Sequence, residues 1–105
     1  MMSNLNKLIK QHLMVIAYFS TPSCGVCIAL RPKIEKLLHD RFPKIHFEYI
    51  DATTKPATAA ENNVFAAPVI IVFADGKESI RKSRNLSIEE FSKELERIYT
   101  LLFNL

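Results

Sequence analysis

Cys24 and Cys27 are the two cysteines of the 105-residue sequence, and they lie three positions apart between an apolar run and a helical pattern. At the N-terminus of a helix, unpaired backbone N–H groups and the positive end of the helix dipole favour a thiolate over a thiol. A second cysteine one helical turn later can attack a mixed disulfide formed on the first. The residue types and their spacing therefore favour thiol–disulfide exchange, with Gly25 leaving room for a substrate backbone.

Two other roles for the cysteine pair stay open at this point. A tetrahedral zinc site normally needs four ligands, but His12, His39 and His46 form no second paired motif. We expect His12 and His46 to be surface residues and His39 to face solvent near a helix end. A purely structural disulfide would close a very short loop, where it adds little stability. We therefore expect no metal and no organic cofactor.

Composition indicates one ordinary domain spanning residues 1–105, because 49% of the residues are hydrophobic and form a single core. The formal net charge is +3, and the nearest approach to a basic cluster is Lys77, Arg81, Lys82 and Arg84. We interpret that cluster as a solvated face, so nucleic-acid binding is not expected.

The apolar run at residues 13–19 is much shorter than the roughly 18 residues of a membrane span. His12 adjoins it and no small-residue cleavage site follows cleanly, which argues against a signal peptide. We expect a cytoplasmic protein that does not enter a membrane.

The first half of the chain reads as helix, strand, helix, strand. Ser3 can cap a short helix at about residues 3–11, and the apolar residues 13–19 are typical of a strand covered on both faces. A helix should then run from residue 24 to about residue 40, followed by an alternating strand at 45–51 near a sheet edge.

The second half adds a helix, a hairpin and a closing helix. Thr53 or Thr54 can start a helix that ends near residues 62–63, and a buried strand follows at 69–73. Asp75-Gly76 then turns the chain into a charged edge strand at 77–83, and a capping box starts the last helix. The order predicts an α/β fold whose central mixed sheet has about four strands, with parallel pairs and helices on both faces.

Together these features resemble the thioredoxin family. The resemblance covers residues 14–98 and rests on Cys24-Gly25-Val26-Cys27 after an apolar strand, Pro32 within the following helix, Ala67-Pro68 before a buried strand, and the Asp75-Gly76 hairpin. It implies a thioredoxin-like fold and a thiol-disulfide oxidoreductase that reduces protein disulfides. A disulfide reductase or a low-molecular-weight thiol would recharge the pair.

The resemblance also assigns roles to individual residues. It implies that Cys24 is the nucleophile and Cys27 the resolving thiol, with Gly25 and Val26 beside the substrate. It further implies a cis Ala67–Pro68 peptide bond next to the two sulfurs, with the backbone of Ala67 pairing with an extended substrate segment.

Four departures from the family pattern affect the expected function. Ser23 replaces the usual Trp, Val26 replaces Pro, Tyr18 aligns with a buried Asp, and Arg84 replaces a glycine beside the substrate groove. We expect slower resolution of mixed disulfides and, through Arg84, a preference for an acidic or specific partner. The alternative is a thioredoxin-like adaptor or redox sensor dedicated to one partner.

The C-terminal residues 99–105 carry more apolar side chains than one helix face needs. We expect them to pack against the opening helix, and the alternative is a homodimer contact.

Overall fold

The computed structural model describes residues 3–104 and confirms the α/β order expected from the sequence. Four strands form one mixed sheet in the spatial order β2-β1-β3-β4. The elements are α1 (Asn4–Gln11), β1 (Met14–Ser20), α2 (Gly25–Arg41), β2 (His46–Asp51), α3 (Pro56–Glu61), β3 (Val69–Ala74), β4 (Lys77–Lys82) and α4 (Ile88–Phe103).

Strand β3 runs antiparallel to β1, whereas the alternation of strands and helices favours parallel pairs. Only β1 and β2 pair in parallel within the described sheet. β2 ends at Asp51, which pairs with Ser20 at the end of β1, and β3 begins at that same end of the sheet, at Val69 opposite Phe19. The segment that contains α3 therefore connects two points at one end of the sheet instead of crossing back along it, so β3 runs against β1. This reversal brings residues 66–68 to the same end of the sheet as Cys24.

The helices cover both faces of the sheet, as expected. On one face, α2 and α4 bury Ile34 and Leu95 against alternate residues of β1 and β3 that include Ile16 and Val72. On the other face, Leu5 of α1 and Ala59 of α3 pack against the intervening strand residues. Seven consecutive residues of β1 are buried, because this strand has a neighbour on each side and helices above and below.

Local capping explains where the helices begin. The hydroxyls of Ser3 and Ser87 accept hydrogen bonds from backbone N–H groups of α1 and α4, as expected. The expected start of α3 at Thr53 or Thr54 is wrong. The Asp51 carboxylate accepts hydrogen bonds from the Thr53 N–H and hydroxyl at 2.9 and 2.6 Å, which holds residues 51–54 in a turn. Helix α3 therefore begins only at Pro56.

The expected packing of the C-terminal residues on α1 is also wrong. Tyr99 contacts Phe42 and Phe103, with ring centroids 5.1 and 4.8 Å apart, and belongs to the core on the face opposite α1. Leu101 is the one large apolar side chain of this segment, within the described residues, that is mostly exposed. Leu105 lies outside the described residues, and a homodimer contact stays a prediction.

No helix of residues 3–104 is long and apolar enough to span a membrane.

Candidate active site

Cys24 is the N-cap residue of α2, just beyond the end of β1. Its carbonyl accepts the first hydrogen bond of the helix, from the Ile28 N–H at 3.2 Å. Its sulfur accepts a hydrogen bond from the Cys27 N–H at 3.1 Å. The sulfur thus lies where N-cap side chains satisfy unpaired backbone donors, at the positive end of the helix dipole. Both effects favour a thiolate at Cys24 when the pair is reduced.

The two cysteines form a disulfide but differ in accessibility. Their Cα atoms are 5.2 Å apart. Cys24 is half-buried and lines a surface groove, whereas Cys27 is fully buried in the core. An incoming thiol or disulfide can therefore reach Cys24 and not Cys27.

The groove beside Cys24 has a volume of about 600 Å³. Its walls come from the motif, from α3 and from the loop before β3; the lining residues are Thr21, Cys24, Gly25, Val26, Ala52, Thr53, Pro56, Ala59, Ala60, Val64, Phe65, Ala66, Ala67 and Arg84. Three of the four residues expected beside a substrate, Gly25, Val26 and Ala67, are among them. The fourth, Pro68, is fully buried behind this surface and does not line the groove.

Gly25 leaves open space at the front of the motif. A side-chain carbon built at this position would meet no atom within 4 Å, so the fold itself does not require glycine here. The open space is available to a substrate backbone instead. On the other side of the groove, the Ala67–Pro68 peptide bond is cis.

A tyrosine occupies the floor beneath the cysteine pair. Tyr18 is fully buried, and its hydroxyl donates a hydrogen bond to the Cys27 carbonyl at 2.6 Å. Burial, and to a smaller extent the neighbouring Tyr49, raises the pKa of Tyr18 to about 12. The Tyr49 ring stacks on Tyr18 at 5.8 Å, and the Arg31 guanidinium lies 3.8 Å from the Tyr49 ring centroid.

No carboxylate of residues 3–104 is buried. The buried side chains in that range that carry a hydroxyl are those of Ser20, Ser92, Tyr18 and Tyr99. Tyr18 stays neutral across the physiological pH range, and its proton is already donated to a carbonyl oxygen. The floor of the site therefore contains no group that can take a proton from the Cys27 thiol.

The histidines do not approach the cysteines. His12 and His46 stack on each other at 4.4 Å beside the start of β1, at the opposite end of the sheet from Cys24. They are half-buried rather than fully exposed surface residues, while His39 faces solvent as expected. Within residues 3–104 there is no group of three or more His, Cys, Asp or Glu side chains suited to a metal ion.

Phe65 is a feature of the groove that the sequence did not single out. Its side chain is 82% exposed, the highest value among the large apolar residues described. A single aromatic residue in a loop carries no periodic signal, so only its position beside Cys24 in space indicates a role. Arg84, by contrast, was expected in the groove, because it replaces a glycine that lies beside the substrate groove in the family, and it does line the groove.

Comparisons with known proteins agree with this arrangement. The family model described as Thioredoxin matches residues 1–97. The thioredoxin-like protein YdfQ of Bacillus subtilis is 36% identical over 98 residues, which cover 93% of this chain and 87% of the relative. Among solved structures, thioredoxin 1 of Thermosipho africanus is 34% identical with a TM-score of 0.75, covering 87% of this chain and 99% of its own. A mutant thioredoxin of Halobacterium salinarum reaches a TM-score of 0.83 at 22% identity, covering 94% and 86% of the two chains.

Proposed function

The chain belongs to the thioredoxin family and is a thiol-disulfide oxidoreductase, and on this basis we propose that it reduces disulfides of protein substrates. The observation that carries the proposal is the difference between the two sulfurs. Cys24 lies at the rim of an open groove on a helix N-cap, and Cys27 is buried one turn behind it. Cys24 is accordingly the nucleophile and Cys27 the resolving thiol.

In the first step the Cys24 thiolate attacks one sulfur of the target disulfide. A bond forms between Cys24 and that sulfur, the target S–S bond breaks, and the other target sulfur leaves as a thiolate that takes a proton from solvent. Gly25, Val26 and the Ala67–Pro68 segment would hold the extended target chain in the groove.

In the second step Cys27 loses its proton and attacks the Cys24 sulfur. The intramolecular disulfide forms, the second target sulfur leaves as a thiolate, and the target has gained two electrons from the cysteine pair. A disulfide reductase or a low-molecular-weight thiol then returns the pair to the dithiol form. Such recharging requires a reducing compartment, and we place the protein in the cytoplasm on that ground.

The direct test compares single cysteine variants on a peptide disulfide with dithiothreitol as the electron donor. Cys24→Ser should abolish reduction above the rate with dithiothreitol alone. Cys27→Ser, reduced and then freed of dithiothreitol before the peptide is added, should stop after one step, with a peptide attached to Cys24 that mass spectrometry detects and that added dithiothreitol releases. A Cys24→Ser variant that still reduces the peptide would contradict the proposal.

A dedicated adaptor or redox sensor is the second candidate, favoured by the floor of the site, which lacks a proton acceptor for Cys27. A sensor would exchange disulfides with one partner and turn over poorly on unrelated substrates. Sustained turnover on several unrelated peptide disulfides would exclude this candidate.

A further inference from the structure

Arg84 is the one lining residue of the Cys24 groove with a charged side chain. The other walls are aliphatic, aromatic or hydroxyl-bearing, so no second charge within the lining compensates the guanidinium. None of the ion pairs among residues 3–104 involves Arg84. Its exposed side chain is therefore available to a carboxylate on a bound molecule.

The neighbouring cations are, by contrast, already paired. Arg81 binds the Glu78 carboxylate and the Asn62 carbonyl, both at 2.8 Å, and Lys82 binds Glu94 at 2.7 Å. The positive charge presented to the groove is thus that of Arg84, rather than that of the whole basic segment.

An apolar contact surface lies in the same groove. Phe65 is 82% exposed and is followed by Ala66 and Ala67, which continue the lining towards the cis peptide bond. A large exposed aromatic ring beside a reactive sulfur loses water contact when a target chain covers it. The groove therefore offers one apolar contact and one cationic contact along the same lining as the exchange site.

We infer that this groove selects disulfides in extended segments that carry an acidic side chain close to the reactive cysteine, next to an apolar residue that covers Phe65. The inference rests on the proposed function, because it names the targets of the same Cys24 exchange. Arg84 acts here as a specificity-determining residue that contacts the target and takes no part in the transfer of electrons.

Three peptide disulfides test the inference with the full-length protein. Each probe is a dimer of one peptide that contains a cysteine and the same leucine at a fixed position, with glutamate, glutamine or lysine on both sides of the cysteine. Each rate with the protein is divided by the rate of the same probe with dithiothreitol, which removes the intrinsic reactivity of the probe. We expect the glutamate probe to react about two- to fivefold faster than the glutamine probe, with the lysine probe slowest. The differences should shrink at high salt.

Two charge variants identify the residue responsible. Arg84→Gln should bring the normalised rates of the three probes together, and Arg84→Glu should reverse their order. Lys10→Glu makes the same charge change beside Asp75 and Gly76, at the other end of the sheet, and should preserve the order.

The apolar contact is tested with the same probes. Phe65→Ala should slow all three by a common factor, whereas Leu101→Ala, at a residue 78% exposed on α4, should not.

The outcomes separate the inference from the proposed function. Equal normalised rates for the three probes in the unmodified protein would overturn the inference and leave the reductase proposal standing. A uniform slowing of all probes in Arg84→Gln would also overturn it, because Arg84 would then act on the thiolate rather than on the target. No reduction of any probe would overturn the proposed function and the inference with it.

Discussion

The two sides of the cysteine pair differ in what they provide for the exchange reaction. The surface around Cys24 is open, sits on a helix N-terminus and offers both apolar and cationic contacts to a target. The floor beneath Cys27 is occupied by the buried Tyr18, on which the half-buried Tyr49 stacks, and it contains no proton acceptor. The comparison indicates that the site supports the first attack well and leaves deprotonation of Cys27 to solvent or to the departing target.

Mutation of the floor should cost far more stability than mutation of the surface. Tyr18→Ala removes a fully buried ring and its hydrogen bond, so we expect a loss of about 3–5 kcal/mol in the free energy of unfolding. Phe65→Ala removes a ring of similar size that is 82% exposed, and the change should stay within about 0.5 kcal/mol. Urea unfolding of both variants measures the two losses in unfolding free energy. Equal losses would mean that Tyr18 contributes no more to stability than the exposed Phe65.

The floor should also show a stability change at high pH that the surface does not. The pKa of Tyr18 is raised from its ordinary value of 10.0 to about 12, so the folded state holds the phenol proton more tightly than the unfolded chain. The corresponding stability is fully present below about pH 10 and is lost as the pH rises towards 12, by at most about 1.4 kcal/mol per pH unit.

Tyr18→Phe provides the control for this effect, since phenylalanine keeps the ring and removes the titrating group. Its unfolding free energy should fall less steeply above about pH 10 than that of the unmodified protein. At neutral pH the variant should lose about 1 kcal/mol, because the Cys27 carbonyl loses its donor. Parallel stability curves at high pH would show that Tyr18 titrates alike in the folded and unfolded states.

Most of the chemistry at Cys24 could be predicted because it is local. The apolar strand, the cysteine spacing and the helical pattern are continuous in sequence, and they place Cys24 at the N-cap of α2 without any long-range contact. The Asp75-Gly76 hairpin is equally local: both residues have positive φ, 52° and 82°, which suits a tight turn between two strands.

The features that the sequence did not predict depend on distant parts of the chain. The antiparallel direction of β3 brings residues 65–67 to the groove; the position of Ala67 was expected only through the family resemblance, and that of Phe65 was not expected at all. Likewise, α4 contains apolar residues on several sides, and only the sheet topology decides that Tyr99 packs on Phe42 rather than on α1. Periodicity identifies that a face is buried but not which element covers it.

The pH dependence of the second step shows whether the site contains a proton acceptor for Cys27. Rapid mixing of the reduced protein with a peptide disulfide, followed by acid quenching and mass spectrometry, gives the rate at which the Cys24 mixed disulfide is resolved. Without an internal proton acceptor, this rate should rise about tenfold per pH unit through neutrality, in proportion to the Cys27 thiolate. Tyr18→Phe should show the same slope. A rate that is already constant with pH through neutrality, and as fast as in a thioredoxin with a buried carboxylate, would mean that the site does hold a proton acceptor for Cys27.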